Sequence, residues 1–176
     1  MNLESIYQEH KDLVYNLALS YTQNPEDAEE ITQDVFVAVY EHFNKFKHES
    51  KISTWLYRIT INKCLDFIKA KKAHKRFAFI TSLFDPISSA LIHDPMHFDH
   101  PGVLAERKEE LQRIFTCINK LSNNQKTALI LSKIDKIPHD EIGQIMQLSR
   151  KAVESLIQQA KSNLIKNLKN TEGEVK

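Results

Sequence analysis

Cysteine, glycine and proline are scarce in this chain. Its 176 residues include two cysteines, three glycines and five prolines. Neither Cys64 nor Cys117 belongs to a CxxC or Cys/His ligand spacing, which excludes a disulfide framework and favours small buried hydrophobic residues. Because helix breakers are rare, apolar residues recur with a period near 3.6 and no segment alternates with period two, the sequence predicts an all-α fold.

Long hydrophobic runs are also missing. No apolar segment approaches the roughly 20 residues needed to cross a bilayer. Residues 1–10 have neither the basic start nor the apolar stretch of a signal peptide. With 41% hydrophobic residues, the composition is that of a globular protein with one ordinary domain or two small ones. We therefore expect a cytoplasmic protein without membrane insertion.

The net charge of +1 conceals a strong segregation of charge along the chain. Residues 1–50 carry three basic and ten acidic side chains, whereas residues 51–77 carry eight and one. Residues 78–110 carry two and six, and residues 111–176 carry eleven and six. One such block is usually a solvated surface, but alternating blocks indicate separate surfaces for unlike partners.

A linker is predicted between two small helical domains. Residues 78–102 contain three of the five prolines and no stable periodicity, so we expect domains at 1–77 and 103–176 joined by a flexible segment. Histidines and aspartates in this segment suggest a metal site, but Pro95 disfavours a shared helical face and no rigid acids surround them. We predict no metal, cofactor or enzyme activity from this group, which comprises His93, Asp94, His97, Asp99 and His100.

The clearest helix of the first domain runs from Asn24 to Phe43. Asn24 can cap it, Pro25 fits its first turn, and acids follow where the helix dipole favours them. Its apolar stripe is predicted to face the core, and comprises Ala28, Ile31, Val35 and Val39, with His42 as a further candidate at its end. An acidic stripe at helical spacing contains Asp27, Glu30, Asp34 and Glu41, and Gln33, Phe36, Val37 and Tyr40 interleave with it. This second face is either a wet surface or a partner-binding surface.

The following helix combines aromatic and basic residues. Helical spacing from Thr54 to Arg76 places Tyr57, Ile61, Cys64, Leu65 and Ile68 on one side, which we predict to be core. Arg58, Asn62, Lys69 and Arg76 form a cationic strip on another side, with Trp55 at its margin. Charge for phosphates and a flat ring for an unstacked base suit single-stranded nucleic acid. The residues alone leave open whether Trp55 is instead a core anchor under a lysine-rich face.

The C-terminal part predicts a helix-turn-helix. Ser122 and Gln125 have the spacing of a capping box. Pro138 opens a short helix, a tight turn follows at Gln147 and Leu148, and Ser149 caps a long helix. On that long helix a polar face suits a major groove, because Gln reads adenine, Glu accepts from cytosine and basic residues hold phosphate. This face comprises Arg150, Lys151, Glu154, Ser155, Gln158, Lys161 and Ser162.

Taken together, these stretches resemble a known family. The order "DAEEITQDVFVAVYEHFNKF", "STWLYRITINKCLDFIKAKK", a linker and "IPHDEIGQIMQLSRKAVESLIQQAKSNL" is similar to bacterial RNA polymerase sigma factors of the extracytoplasmic-function (ECF) type. The resemblance covers nearly the whole chain except the linker and the last residues. It implies a non-catalytic initiation subunit that binds core RNA polymerase and promoter DNA. An anti-sigma factor is a further candidate partner whose existence the sequence does not decide.

The resemblance also implies residue roles. A face for docking on the clamp coiled coil of the largest core subunit would comprise Asp27, Glu30, Gln33 and Asp34. The loop from Phe46 to Ser53 corresponds to the specificity loop for a flipped minus-ten base, and Trp55, Arg58 and Asn62 fall on the "WLYRIxxN" motif of the helix that supports that strand. The predicted minus-ten residues are thus Phe46, Lys47, His48, Glu49, Ser50, Trp55, Arg58 and Asn62. The predicted minus-thirty-five residues are Arg150, Lys151, Glu154, Ser155, Gln158 and Lys161.

Three positions depart from the family pattern. Glycine usually stands where Gln147 does, so a left-handed or altered turn is expected there at some cost. Arginine often stands at the positions of Leu156 and Gln159, which predicts fewer phosphate contacts and a weaker or redistributed affinity for the minus-thirty-five element. An alternative function is a helix-turn-helix regulator that never binds polymerase, although it would leave the acidic helix and the Trp55 segment unexplained.

Overall fold

The computed structural model describes residues 2–46, 50–84 and 105–173. Every regular element in these ranges is helical, which confirms the all-α prediction. The elements are α1 (Leu3–Thr22), α2 (Pro25–His42), a 3-10 turn (Phe43–Lys45), α3 (Ile52–Phe84), α4 (Ala105–Asn119), α5 (Asn123–Lys133), α6 (His139–Met146) and α7 (Arg150–Gly173).

Helices α1, α2 and α3 form a first helical unit. The Asn24 side chain caps α2 as predicted, because its Oδ1 accepts a hydrogen bond from the backbone N–H of Asp27 at 2.9 Å, and Pro25 occupies the first turn. Four residues of the predicted stripe of α2 are buried, Ala28, Ile31, Val35 and Val39, whereas His42, predicted at its end, is exposed. The 3.6-residue period therefore placed the core face of this helix correctly.

Helix α3 is longer than the sequence indicated. It continues to Phe84, so residues 78–84, which we predicted as the start of the linker, are helical. These residues contain no helix breaker, and the next proline along the chain is Pro86. Because the residue before a proline disfavours helical backbone, a helix can persist until this point. The remaining predicted linker residues, including the histidine and aspartate group, lie outside the described residues.

Helices α4 to α7 form a second helical unit that contains the predicted helix-turn-helix. Ser149 caps α7, since its Oγ accepts from the Ala152 N–H at 3.2 Å. Gln147 has φ 57° and ψ 43°, the left-handed conformation expected where glycine is usual. Gly143 allows the turn to close, because a Cβ there would lie 2.7 Å from the carbonyl oxygen of Leu148.

Only half of the predicted capping box forms at the start of α5. Ser122 Oγ accepts from the Gln125 N–H at 3.4 Å. The Gln125 side chain bonds α7 instead, donating to Gln159 at 3.3 Å and accepting from Asn163 at 3.1 Å. The side chain thus joins two helices of the second unit.

The two helical units are packed against each other. One hydrophobic cluster contains buried residues of both, including Leu17 of α1, Leu56 of α3 and Ile142 of α6, and α6 lies against α3. Helix α3 is consequently covered on two sides. This explains why Leu56 and Thr60 are also completely buried, although they fall outside the side of α3 that we predicted as core.

Candidate polymerase and nucleic-acid interfaces

The predicted docking face of α2 is partly exposed and partly occupied. Glu30, Gln33 and Asp34 are exposed. Asp34 lies 3.8 Å from Lys63 of α3, with both side chains largely in solvent, which makes this ion pair weak. Asp27 differs, because its side chain is only 18% exposed and its Oδ2 accepts a hydrogen bond from Lys71 Nζ at 2.7 Å. Asp27 therefore holds α2 to α3.

Apolar side chains extend the exposed part of this face. Val37 and Tyr40 are 56% and 73% exposed, and they follow Gln33 by four and seven residues, so that they share its side of the helix. Phe36 is half-buried, with its ring edge-on to Tyr7 at a centroid distance of 4.8 Å. Exposed aromatic residues beside charges are typical of protein interfaces. We call Glu30, Gln33, Asp34, Val37 and Tyr40 the α2 face.

The margin of the cationic strip on α3 carries a pair of aromatic rings. Trp55 is half-buried, and its ring lies 5.0 Å from that of Phe46 at an interplanar angle of 32°. Of the predicted loop, Phe46 and residues 50–53 lie within the described ranges, whereas Lys47, His48 and Glu49 lie outside them. Ile52 and Ser53 already belong to α3, so the loop ends two residues earlier than predicted. The pair is compatible with both interpretations of Trp55, as a packing anchor or as a stacking surface.

Arg58, at the centre of the strip, is engaged by the second helical unit. Its Nε donates to the carbonyl oxygen of Ile145 at 3.2 Å, and its Nη2 donates to that of Gln144 at 2.5 Å. These carbonyls belong to the last turn of α6, where a helix has no internal donors for them and its dipole favours a cation. Arg58 thus caps α6 from the other unit.

Asn62 is exposed on the same side of α3 but faces a cleft between the units. This cleft has a volume of about 250 Å³, and Arg58, Asn62, Asn124 and Gln147 are among the residues that line it. The predicted minus-ten residues of α3 therefore lie together, as expected. In this arrangement, however, the turn of the helix-turn-helix stands in front of them.

Sequence reasoning missed a polar seam between the units. The hydroxyls of Tyr21 and Thr127 are hydrogen-bonded at 2.5 Å. Lys126 Nζ donates to the Tyr21 carbonyl at 3.0 Å and to Asn119 Oδ1 at 2.6 Å, and Asn119 donates to Gln23 Oε1 at 3.0 Å. Burial lowers the pKa of Lys126 to about 8. No sequence pattern marks a lysine that is buried only by a neighbouring domain.

A second part of the seam carries a half-buried carboxylate. Asp135, in the turn between α5 and α6, lies close to the Tyr57 hydroxyl of α3, and burial raises the pKa of Asp135 to about 6. Its Oδ2 is buried and finds no hydrogen-bond partner within the described residues. The negative charge of nearby Glu141 helps to raise the pKa of Tyr57. Glu141 Oε1 lies 3.9 Å from Nζ of the exposed Lys51.

The predicted recognition residues of α7 are all exposed. Arg150 donates from Nε to Glu154 Oε1 at 2.9 Å and from Nη1 to Asp140 Oδ2 at 3.1 Å. The hydrogen bond from Arg150 is the main reason that the pKa of Glu154 is lowered. These contacts are local and solvent-exposed, so they can exchange for DNA contacts. The exposed set comprises Arg150, Lys151, Glu154, Ser155, Gln158 and Lys161.

Two positions where the family often has arginine serve internal contacts here. Leu156 is half-buried against the hydrophobic cluster. Gln159 donates to Ser155 at 3.2 Å and accepts from Gln125 at 3.3 Å. Neither side chain adds a cation to the recognition surface.

Two other kinds of site receive no support from the described residues. Within them, no group of three or more His, Cys, Asp or Glu side chains is arranged to hold a metal ion. No helix found there has both the length and the apolar character to cross a membrane.

Comparisons with known proteins show to which family the chain is similar. The family model "Sigma-70 region 2" matches residues 6–74, and "Sigma-70, region 4" matches residues 111–164. ECF RNA polymerase sigma factor SigW of Bacillus subtilis is 28% identical over 163 residues, covering 92% of this chain and 86% of the relative. ECF RNA polymerase sigma factor SigM of the same organism is 25% identical over 165 residues, covering 93% of each.

Solved structures show the same fold. CnrH in complex with the cytosolic domain of CnrY matches with a TM-score of 0.66 at 21% identity, covering 96% of this chain and 88% of that one. Sigma factor RpoE of Bartonella quintana, in complex with the anti-sigma factor NepR, matches with a TM-score of 0.63 at 22% identity, covering 94% and 96%. The two sigma-70 models account for most of the chain, one in each helical unit, and the chain belongs to the sigma-70 family of RNA polymerase sigma factors, of the extracytoplasmic-function type.

Proposed function

We propose that this chain binds core RNA polymerase, directs it to promoters with two recognised elements and helps to open the minus-ten element. The observation that carries this proposal is the presence of two separate exposed surfaces, the α2 face on the first unit and the recognition residues of α7 on the second. One chain can therefore hold a protein partner and duplex DNA at the same time. Its role is to bind and position rather than to catalyse.

The α2 face supplies the proposed contact with core polymerase. It combines exposed carboxylates, Glu30 and Asp34, with the exposed apolar side chains of Val37 and Tyr40. Charges around an apolar centre give an interface both orientation and affinity. Asp27, which is held by Lys71, would act by fixing α2 against α3 rather than by touching the partner.

The recognition residues of α7 supply the proposed contact with the minus-thirty-five element. Lys151, Ser155 and Gln158 present donors and acceptors outward, while Arg150 and Lys161 flank them with positive charge. This distribution suits base edges at the centre of a major groove and phosphates at its borders. Residues 103–176 would form the domain responsible, and residues 1–77, extended by the rest of α3, would hold the polymerase and the minus-ten strand.

The alternative, a helix-turn-helix regulator that acts without polymerase, is less well supported. It needs only the second unit, whereas the region 2 model matches residues 6–74. It also assigns no role to the exposed Val37 and Tyr40. An anti-sigma factor is a further proposed partner, because RpoE of Bartonella quintana was solved with one bound.

The proposal is tested by binding to sigma-free core polymerase. The double variant Glu30→Lys/Asp34→Lys reverses the charge of the α2 face at two exposed positions, so we expect core binding to be lost while helical content is unchanged. The control Glu4→Lys/Asp12→Lys makes the same change in net charge on α1, at positions that are also exposed. Equal retention of both double variants on immobilised core would refute the docking assignment.

A further inference from the structure

A cavity of about 360 Å³ lies beside the polar seam, where α1, α3, α4 and α5 meet. Its volume is in the range of clefts that hold small molecules, roughly 300–1,000 Å³. Its described lining residues include none of the α2 face, none of α7 and neither Arg58 nor Asn62. The surfaces proposed for polymerase and DNA therefore leave this cavity without a role.

Lys126 places a buried cation at the cavity. It is only 5% exposed, and its Nζ donates to the Tyr21 carbonyl oxygen at 3.0 Å and to Asn119 Oδ1 at 2.6 Å. Both acceptor residues also line the cavity. These partners are neutral, and within the described residues no carboxylate forms an ion pair with this ammonium group. An ammonium group has three donors, so Lys126 can hold one further acceptor.

The walls of the cavity carry an excess of positive charge. Lys71, Lys72, Lys120 and Lys126 belong to its described lining, against the carboxylate of Asp27. Lys71 and Asp27 are bonded to each other, which leaves three ammonium groups in excess. Burial, and to a smaller degree the charge of Lys72, lowers the pKa of Lys126 to about 8. An anion bound among these groups would offset both their repulsion and the cost of burying Lys126.

One part of the cavity is apolar. Leu65, Phe67 and Ile68 of α3 line it together with Leu121, which follows α4. Apolar walls with a few convergent polar groups are typical of small-molecule sites. An inorganic anion would leave these side chains without a partner, whereas an acid that carries an apolar group can use both kinds of wall.

We propose that this cavity binds a small organic acid with an apolar body. The acid group, a phosphate or a carboxylate, accepts a hydrogen bond from Lys126 and lies near the ammonium groups of Lys72 and Lys120. The apolar body packs against the side chains of α3. The site gives the chain a small-molecule ligand in addition to its protein and DNA partners, and it does not rest on the proposed function.

The probes are octyl phosphate and octanoate, titrated into the chain alone by isothermal titration calorimetry at about pH 7 and fixed salt. Octanol has the apolar body without the acid, and inorganic phosphate has the acid without the body. We expect one octyl phosphate to bind per chain with a dissociation constant below about 1 mM. Octanoate should bind more weakly, because a single negative charge gains less from several ammonium groups. Octanol and inorganic phosphate should each bind at least about tenfold more weakly than octyl phosphate.

Lys126→Met removes the buried ammonium group and keeps a long unbranched side chain. We expect it to weaken the binding of octyl phosphate about tenfold. The control Lys133→Met makes the same substitution two turns later on α5, at an exposed position outside the described lining, and should leave binding unchanged. Lys72→Met removes a charge at an exposed position of the lining and should weaken binding about threefold without disturbing the core.

The protonation of Lys126 distinguishes contact with the ligand from a purely structural role. Its pKa is about 8, and a bound anion favours the charged form and so raises this pKa. The affinity for octanoate, whose carboxylate stays charged, should therefore fall by about fivefold as pH rises from 7 to 9. In a chain with 13C-labelled lysine, the Lys126 resonance should titrate near pH 8 alone and at least about one pH unit higher with octanoate. The titratable groups around Lys126 are Tyr21 of α1, Asp27 of α2, Cys64, Lys71 and Lys72 of α3, and Lys120.

The absence of saturable binding of both probes to the folded wild type would overturn the site. Octanol that bound as tightly as octyl phosphate would overturn the role of the acid group. Equal affinity in Lys126→Met and Lys133→Met, or a Lys126 titration that octanoate does not move, would overturn the assignment to Lys126. Circular dichroism checks folding, and the Lys126 resonance and Lys72→Met decide the matter if Lys126→Met is unfolded. None of these assays contains polymerase or DNA, so a failed core-binding assay is a separate result.

Discussion

The recognition residues of α7 and the strip on α3 are similar in polarity and spacing but differ in their surroundings. Both are polar, basic faces at helical spacing. On α7 the six predicted residues are exposed, and their contacts, such as Arg150 with Glu154, are local. On α3 the central Arg58 is bonded to another unit of the same chain. The comparison teaches that helical phase shows which residues share a face but not whether that face is covered.

The largest expected effect concerns the exposed recognition residues of α7. If Gln158 reads a base edge, Gln158→Ala should cost about 1–3 kcal/mol at one position of the upstream element and relax the preference there. Lys161→Ala should weaken binding to all sequences about equally, because a phosphate contact carries no sequence information. Binding of each variant to a library of upstream elements measures both. A uniform loss for Gln158→Ala would remove its base-reading role.

The next largest effect concerns the turn of the helix-turn-helix, which lies against the strip on α3. Gly143→Ala places a methyl group 2.7 Å from the carbonyl oxygen of Leu148, and this backbone atom can move only if the turn opens. We expect the second unit to lose about 1–3 kcal/mol of unfolding free energy, measured by urea denaturation. An unaltered urea midpoint in Gly143→Ala would show that the turn does not need this close approach.

A pH titration tests the comparison by changing the protonation of Asp135, which lies in the seam beside the covered strip on α3. With the two units packed together, which we call the closed form, the pKa of Asp135 is about 6, and with the units apart, in an open form, we expect a value near the ordinary 3.9. The closed form therefore binds the extra proton, so this contribution to closure is fully present below about pH 4 and is lost as pH rises through 6. The facing groups are Tyr57 and Glu141, and the latter is paired with Lys51.

We expect the open fraction of the wild type, measured by fluorescence transfer between dyes at Glu9→Cys on α1 and Lys166→Cys on α7, to rise several fold between pH 4.5 and 6.5. Asp135→Asn should remove this rise. Lys126 acts in another window, because its lowered pKa of about 8 makes closure stronger as pH rises from about 8 to 10. An identical titration of wild type and Asp135→Asn below pH 7 would contradict the assignment of the proton to Asp135.

The smallest effect concerns the turn beside the strip. Gln147 has φ 57°, a conformation that costs a residue with a Cβ roughly 1 kcal/mol and costs glycine little. Gln147→Gly should therefore stabilise the second unit by about 0.5–1 kcal/mol in urea denaturation. A loss of stability instead would mean that the Gln147 side chain contributes more than its backbone conformation costs.

The sequence predicted the helices and their internal faces well. Asn24 and Ser149 as capping residues, and Pro25 in a first turn, predicted where two helices begin. The 3.6-residue period of apolar residues predicted the buried stripe of α2, which comprises Ala28, Ile31, Val35 and Val39. The end of α3 was predicted too early, although no residue before Pro86 stops the helix. The seam could not be predicted in this way, because Lys126 is buried only where another unit lies on it. That burial depends on residues about 100 positions apart, as in the contact of Tyr21 with Thr127.

The most direct test of the account is to follow the distance between the units while core polymerase is added. The chain labelled at Glu9→Cys and Lys166→Cys should show high transfer efficiency alone and low efficiency once bound to core, and run-off transcription from a promoter library should begin with the same dependence on core concentration. The account predicts that separation accompanies polymerase binding. Specific transcription by a complex in which the transfer efficiency stays as high as in the chain alone would contradict it.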